Sequence, residues 1–277
     1  MADASVLVSE GQMRIKRCIH GLMLYNVNDS FIGRSLDLYG EYSIGEFTFL
    51  EQVLHPGMVA IDAGANIGCL SVFMAQRVAP GGAVIAIEPQ RILFQVLCAN
   101  AAINGLTNIH ALNAAVGSEP GSIVVPSIDY VASSNFGGIE LGAHEDGETV
   151  PVTIIDSLPL PVCHLIKIDV EGMEADVLDG ARETITKHNP ALYVENDRRD
   201  KSPGVIERLL LADYRLFWHI PRLYNADNFF ANAVNVFGET ASLNMICLPK
   251  NLEQNVTGLS EITSPDDWPG KHALSQL

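Results

Sequence analysis

One segment constrains the fold more than any other: Val59-Ala60-Ile61-Asp62-Ala63-Gly64-Ala65-Asn66-Ile67-Gly68. A short apolar run ends in an acid, a glycine-bearing turn follows, and an apolar periodic stretch begins directly after it. Such a turn lets the backbone take positive φ and approach a ligand closely, and the helix behind it aims free N–H groups at the same place. Strand, turn and helix in this order open a βαβ unit, and the rhythm continues. Strands are predicted at 58–61, 83–87, 109–115, 165–168 and 191–194. Helices are predicted at 68–78, at 92–104, through Val177, Leu178 and Ile185, and at 205–211. Strands joined by helices of about 10–15 residues define an α/β chain with a doubly wound, mostly parallel sheet. Its crossovers are right-handed and its ligands sit outside the C-terminal strand ends.

Two late strands, 214–220 and 243–248, have no helical pattern between them and predict an antiparallel hairpin at one edge. Upstream, 1–30 reads as a small β-ribbon and 31–55 as one or two lead-in helices closed by His55-Pro56-Gly57. The expected organisation is a lead-in over 1–55, a main domain over 56–250 and a polar tail over 251–277. Residues 117–153, dominated by Gly, Ser, Asp and Glu, interrupt the rhythm and are expected to be an insertion over the strand ends.

Composition narrows the function classes. With 277 residues, 48% apolar and 18% charged, the chain can bury a sizeable core and is not mainly disordered. Lys and Arg number 17 against 33 Asp and Glu, a formal net charge of −16. Phosphate neutralisation needs a basic face, so no nucleic acid is expected as partner, and an acidic surface also repels an anionic membrane. The five cysteines are odd in number and include no CxxC, which argues against a zinc knuckle or redox pair and for free thiols in a reducing compartment. The first residues lack a signal-peptide pattern, and no apolar run approaches about 20 residues, so a cytoplasmic location is the expectation. Nothing in the pattern decides whether the chain forms a homo-oligomer.

Two cofactor classes use a turn like that at 62–68. A dinucleotide fingerprint needs glycines at 64, 66 and 69, but Asn66 and Cys69 occupy the last two places. Asp62 at the strand tip would repel a pyrophosphate, whereas a sulfonium cation tolerates it. Glu88 ends the second strand, where its carboxylate can accept ribose hydroxyls of either cofactor. The pair fits S-adenosylmethionine better than NAD. The competing readings are an NAD-dependent oxidoreductase or epimerase, and a non-catalytic cofactor-binding protein.

The run Ile61-Asp62-Ala63-Gly64-Ala65-Asn66-Ile67-Gly68, then Ile87-Glu88-Pro89, then Ile166-Lys167-Ile168-Asp169-Val170-Glu171-Gly172-Met173-Glu174 and Val177-Leu178-Asp179-Gly180, resembles the FkbM family of methyltransferases. Tyr39-Gly40-Glu41-Tyr42, Gly45-Glu46 and His55-Pro56-Gly57 resemble that family's lead-in, and the match runs over about residues 30–250. The resemblance implies a class I, Rossmann-like fold using S-adenosyl-L-methionine, and O-methylation of a hydroxyl on a sugar, glycan or natural product. By position, Asp62, Gly64, Asn66 and Gly68 would contact the methionine part and Glu88 the ribose. Glu46 would close over the same end, and residues 113–115 would face the adenine.

Methyl transfer needs an oriented acceptor and a proton acceptor for its hydroxyl. Lys167 and Asp169 lie two apart on one strand and share a face, with Asp169 at the tip. Glu171 and Glu174 follow at the start of the next helix, and Glu195 and Asp197 stand at the neighbouring strand tip. Asp169, Glu195 and Asp197 would permit a Mg²⁺ site, as in the similar macrocin-type enzymes. A metal-free network, with Lys167 pairing across strands to Glu195, is the expectation. Catalytic candidates are therefore Asp169, Lys167, Glu195 and His219, the last a candidate base at a strand end. The insertion and the 221–231 loop are expected to build the acceptor pocket, with Asn135, Phe136, Tyr224, Asn225 and Asn228 supplying rings and hydrogen bonds.

Overall fold

The computed structural model describes residues 6–142, 144–252 and 256–269. An antiparallel ribbon, β1 (Val6–Glu10), β2 (Met13–Cys18) and β3 (Gly21–Asn26), is followed by α1 (Ile32–Tyr39) and α2 (Ile44–Val53). The alternating part then runs β4 (Val59–Ala63), α3 (Cys69–Val78), β5 (Ala83–Ile87), α4 (Arg91–Ile103) and β6 (Ile109–Leu112). Next come β7 (Ala115–Val116), β8 (Gly121–Val125) and β9 (Glu148–Thr153), which form a small separate sheet. The chain returns through β10 (Leu165–Ile168), α5 (Glu174–Asp179), α6 (Arg182–His188), β11 (Ala191–Glu195), α7 (Ser202–Leu211), β12 (Tyr214–His219), β13 (Asn244–Pro249) and β14 (Glu261–Ile262).

The central sheet has eight strands in the order β14-β12-β13-β11-β10-β4-β5-β6. Strands β6, β5, β4, β10 and β11 are mutually parallel. The order reverses between β4 and β10, which is where an open α/β sheet leaves a crevice at its strand ends. Period two divides the strands between two cores. Ala60, Leu165, Tyr193, Phe217 and Ile246 pack with Leu50, Phe73 and Met74 of α2 and α3. Ile61, Ile166, Leu192, Leu216 and Met245 face the other way, onto Val177, Leu178, Ile206 and Leu209 of α5 and α7. Asp62, Lys167 and Glu195 fall on the α2–α3 face, so alternation alone aims three charged groups toward one end of that layer.

Four expectations about elements need correction. The late strands pair with each other antiparallel as expected, but β13 is the inner of the two: it lies between β11 and β12 and pairs antiparallel with both. All six of its residues are buried, which an edge position would not provide. The outer position goes to β14, within the stretch expected to be a polar tail; 253–255 and 270–277 lie outside the described residues. The third strand splits at Asn113, whose side-chain amide donates to the carbonyls of Glu88 and Pro89, and the chain then joins the small sheet as β7. The helix expected through Ile185 is two helices, because Gly180 packs on the carbonyl of Gly117, where a Cβ would lie 2.1 Å from the oxygen.

The ribbon is fastened by α4. Asn100 and Asn104, one turn apart, bond the backbone of Leu24 and Leu22 through both ends of their amides. All five cysteines are free thiols, four of them buried. No helix among the described residues is long and apolar enough to cross a membrane.

Candidate active site

The C-terminal tips of β4, β5, β10 and β11 and the first residue of β13 open into one cavity of about 400 Å³. That is within the range of small-ligand sites, roughly 300–1,000 Å³. Its floor is the turn after β4. Gly64 has φ +81°, and a Cβ there would lie 1.6 Å from the Asp169 carbonyl oxygen, so only glycine lets β4 and β10 close at their tips. The Gly64 carbonyl accepts from Lys167 Nζ at 2.9 Å. Lys167 also meets Asp169 Oδ2 at 3.0 Å and Asp62 Oδ1 at 3.3 Å. Burial alone would lower the Lys167 pKa, but Asp169, Asp62 and Glu46 together outweigh it and raise it. The expected partner of Lys167 was Glu195; the partner across the strands is Asp62, because β4 and not β11 carries the register-matched acid.

Asp62 is fully buried and does not reach the cavity wall. It accepts from Ser71 Oγ and faces Lys167, so it supports the floor from behind instead of touching a ligand. Gly68 is likewise behind the wall: it caps α3 against Leu97. Gly64, Asn66 and Glu88 do line the cavity. Glu88 Oε2 accepts the Asn66 N–H and Oε1 the Gln90 N–H, both at 2.8 Å, which fixes the carboxylate at the tip of β5 with a lone pair on each oxygen left over. Burial pushes its pKa up to about 7. Glu46, on α2, lines the same cavity, accepts from Ser43 Oγ at 2.7 Å and is raised by burial to about 7.

At the other end stand Asp169, Glu171 and Glu195, one oxygen of each lying within 4.8 Å of the others. Burial, then the Asp169 charge, raises Glu171 to about 8, although Arg198 pairs with it at 2.6 Å. Burial and the neighbouring acids hold Glu195 well above the usual carboxylate range. Asp197 is on the wall but nearly half exposed, so the compact trio contains Glu171 in its place. Glu174 is buried and accepts the Gly172 N–H, a local turn-fastening role.

The remaining sequence candidates separate. Asn135 lines the cavity, as do Gly137, Gly138 and Ile139 of the same strap. Phe136 is core, 1% exposed, with its carbonyl accepting from Gln90. Tyr224, Asn225 and Asn228 are absent from the wall. Asn225 donates to Glu41, Asn228 holds Asn225 and Asn232, and Tyr224 packs edge-on to Tyr39, so this loop is bolted to α1. Of this loop only Leu223 lines the cavity, and residues 240–244 form the rest of that side. His219 is also off the wall. Its Nδ1 is bonded to the Tyr193 hydroxyl at 2.8 Å, and burial lowers its pKa to about 4, which removes it as a base for the cavity. Sequence reasoning missed Tyr42, Gln90, Arg198 and Asn244, all on the wall. Only the β11–β13 register, which puts Asn244 opposite Glu195, singles out the last of these.

The residues present fit an adenosyl sulfonium ligand. The backbone of the Gly64 turn lines the cavity, a fixed carboxylate ends β5, and the facing wall is acidic. The sheet order, with the antiparallel β13 inserted between β11 and β12, which run the same way, and the glycine turn after β4 define a class I methyltransferase fold. The family profile described as "Methyltransferase FkbM domain" matches residues 62–216, more than half of the chain, and the protein belongs to that family. The chain is similar to a curated relative, "Methyltransferase sdnD" of Sordaria araneosa. It is 28% identical over 156 aligned positions, covering 44% of this chain and 60% of that one. The chain thus spans less than two thirds of that relative's length. Among solved structures it is similar to an FkbM methyltransferase from Methylobacillus flagellatus (19% identity, TM-score 0.46, 72% of this chain and 50% of that chain). It is also similar to an S-adenosylmethionine-dependent O-methyltransferase from Thermotoga maritima (14% identity, TM-score 0.48, 87% and 79%).

Proposed function

We propose that this chain is an S-adenosylmethionine-dependent O-methyltransferase acting on a hydroxyl of an uncharged sugar, glycan or natural-product acceptor in the cytoplasm. One observation carries the reading: a single cavity with the Glu88 carboxylate fixed at the β5 tip and the carboxyl groups of Asp169 and Glu195 side by side at the β10 and β11 tips. The bound donor supplies an activated methyl group on a sulfonium cation. Glu88 would hold the ribose hydroxyls, and the backbone of Gly64 and Asn66 would line the methionine end. Lys167 is a positioning residue: ion-paired on both sides, it fixes Asp169 against the Gly64 carbonyl. Asp169 would accept the proton of the acceptor hydroxyl, with Glu195 as its hydrogen-bonding neighbour. The free thiols suit a reducing compartment.

Calorimetry with S-adenosylhomocysteine and with NAD, followed by transfer of labelled methyl groups to a panel of hydroxylated small molecules, tests this. Binding of S-adenosylhomocysteine and not of NAD is expected; tight NAD binding, or transfer only to amines, would refute it.

A further inference from the structure

Of the buried polar atoms on wall residues that have no hydrogen-bond partner among the described residues, Arg198 Nε faces Asp197 at 4.0 Å, and two share one corner: Glu195 Oε2 and Asn244 Nδ2. Asn244 Nδ2 donates, and Glu195 Oε2 accepts, because the proton that Glu195 retains is shared with Asp169. They belong to residues directly opposite each other on β11 and β13, on the same face of the sheet. Directly opposed antiparallel residues have Cβ atoms about 4.5–5.5 Å apart. Asn244 is only 4% exposed. The Tyr193 hydroxyl, bonded to His219 Nδ1, lies beside the Asn244 amide and keeps an accepting lone pair, but it does not meet hydrogen-bond geometry with Nδ2. A buried donor or acceptor left unmade costs about 1–3 kcal/mol, so two in one corner call for an occupant.

The occupant must accept from an amide and donate to a carboxyl group within a few ångströms. A hydroxyl does both through one oxygen; an ammonium cannot accept, and a carbonyl cannot donate. The corner is also far from the ribose end. Glu88 ends β5, and β4, β10 and β11 intervene before β13, four strand spacings or roughly 19 Å.

We infer that the β11–β13 corner seats a hydroxyl of the acceptor, with Asn244 Nδ2 donating to its oxygen and Glu195 Oε2 receiving its proton in a hydrogen bond. The inference rests on the methyl-transfer reading and adds to it that acceptor binding depends on Asn244, a residue outside the cofactor motifs.

Ethylene glycol is a suitable probe, because it offers hydroxyls with little else to recognise. Crystals of the S-adenosylhomocysteine complex, wild type and Asn244→Leu, would be soaked in it. In the wild type a glycol oxygen is expected about 2.7–3.2 Å from both atoms. In Asn244→Leu the glycol is expected to be lost from the corner, while calorimetric affinity for S-adenosylhomocysteine stays within twofold. Asn244→Asp, of the same size but lacking the donor, should also lose the glycol and serves if the leucine variant does not fold. An empty corner, an Asn244 amide turned onto Tyr193, a water that glycol does not displace, or the homocysteine ligand itself in the corner would each overturn the inference. If wild-type protein binds no S-adenosylhomocysteine, the methyl-transfer reading fails, and glycol soaked into ligand-free crystals still reports on the corner.

Discussion

Lys167 shows how far single residues could be read. Its shared face with Asp169 follows from a spacing of two, and the structure brings the pair to 3.0 Å. Its second partner, Asp62, is 105 positions upstream in chain order and adjacent only because β4 pairs with β10, a neighbourhood that spacing does not encode. Removing one side of a buried pair strands the other charge, so Lys167→Met should cost about 3–5 kcal/mol in denaturant unfolding. The double change with Asp62→Asn should recover much of it. Glu88 was legible from its place at the end of the second strand. Glu88→Ala should weaken S-adenosylhomocysteine binding by about 1.5–3 kcal/mol, the range for hydrogen bonds to a charged group, measured by calorimetry. Equal affinities with an intact fold would remove Glu88 from the ribose role. Burial raises Glu88 and Glu46 to about 7 in the folded chain, above an ordinary glutamate. The folded state then binds more protons than the unfolded state between about pH 4.5 and 7, so ligand-free stability should fall as pH rises through that window. Denaturation midpoints at pH 5 and 8 check this, and Glu88→Gln should flatten part of the slope.

Elements were more legible than their neighbours. The strand–helix alternation gave the parallel half of the sheet because periodicity and glycine turns are local signals. The place of β13 was not readable, since nothing local says that a buried strand inserts between two others. The same limit explains the acceptor loop. The aromatic and amide content of 221–231 suggested a binding surface, but Asn225 and Asn228 spend their hydrogen bonds on Glu41, Asn232 and each other. The turn after β4 was readable, and it is the tightest element of the site. Gly64→Ala would put a Cβ on the Asp169 carbonyl at positive φ. It should abolish S-adenosylhomocysteine binding or folding, read by calorimetry and circular dichroism; near-wild-type affinity would mean that the β4 and β10 tips are not rigidly closed. The insertion over 117–153 was expected to serve the acceptor and leave the donor site untouched. Its Gly137 instead abuts the Asn66 side chain, and Gln90 ties Phe136 down. Replacing 127–141 by a short linker should therefore weaken S-adenosylhomocysteine binding as well as transfer.

At the scale of the molecule, charge decides what can approach. The net charge is −16, and the cavity wall carries Glu46, Glu88, Asp169, Glu171, Glu195 and Asp197 against Lys167 and Arg198. Both cations are already paired, Lys167 with Asp62 and Asp169 and Arg198 with Glu171. The net charge attracts a cationic donor and repels a polyphosphate, and its field is screened beyond about 10 Å at 0.1 M salt. Donor association should slow as salt rises from 20 to about 500 mM, by several-fold in stopped-flow fluorescence, because steering is lost. The Michaelis constant of an uncharged hydroxylated acceptor should change less than about twofold over the same range, since no net charge is brought together. Purified protein given tRNA and labelled donor should transfer no methyl groups at any salt concentration, because phosphate neutralisation requires a basic surface that this wall does not offer. Donor association that quickens with salt, or methylation of tRNA, would mean that a basic surface elsewhere on the chain governs approach to the cavity.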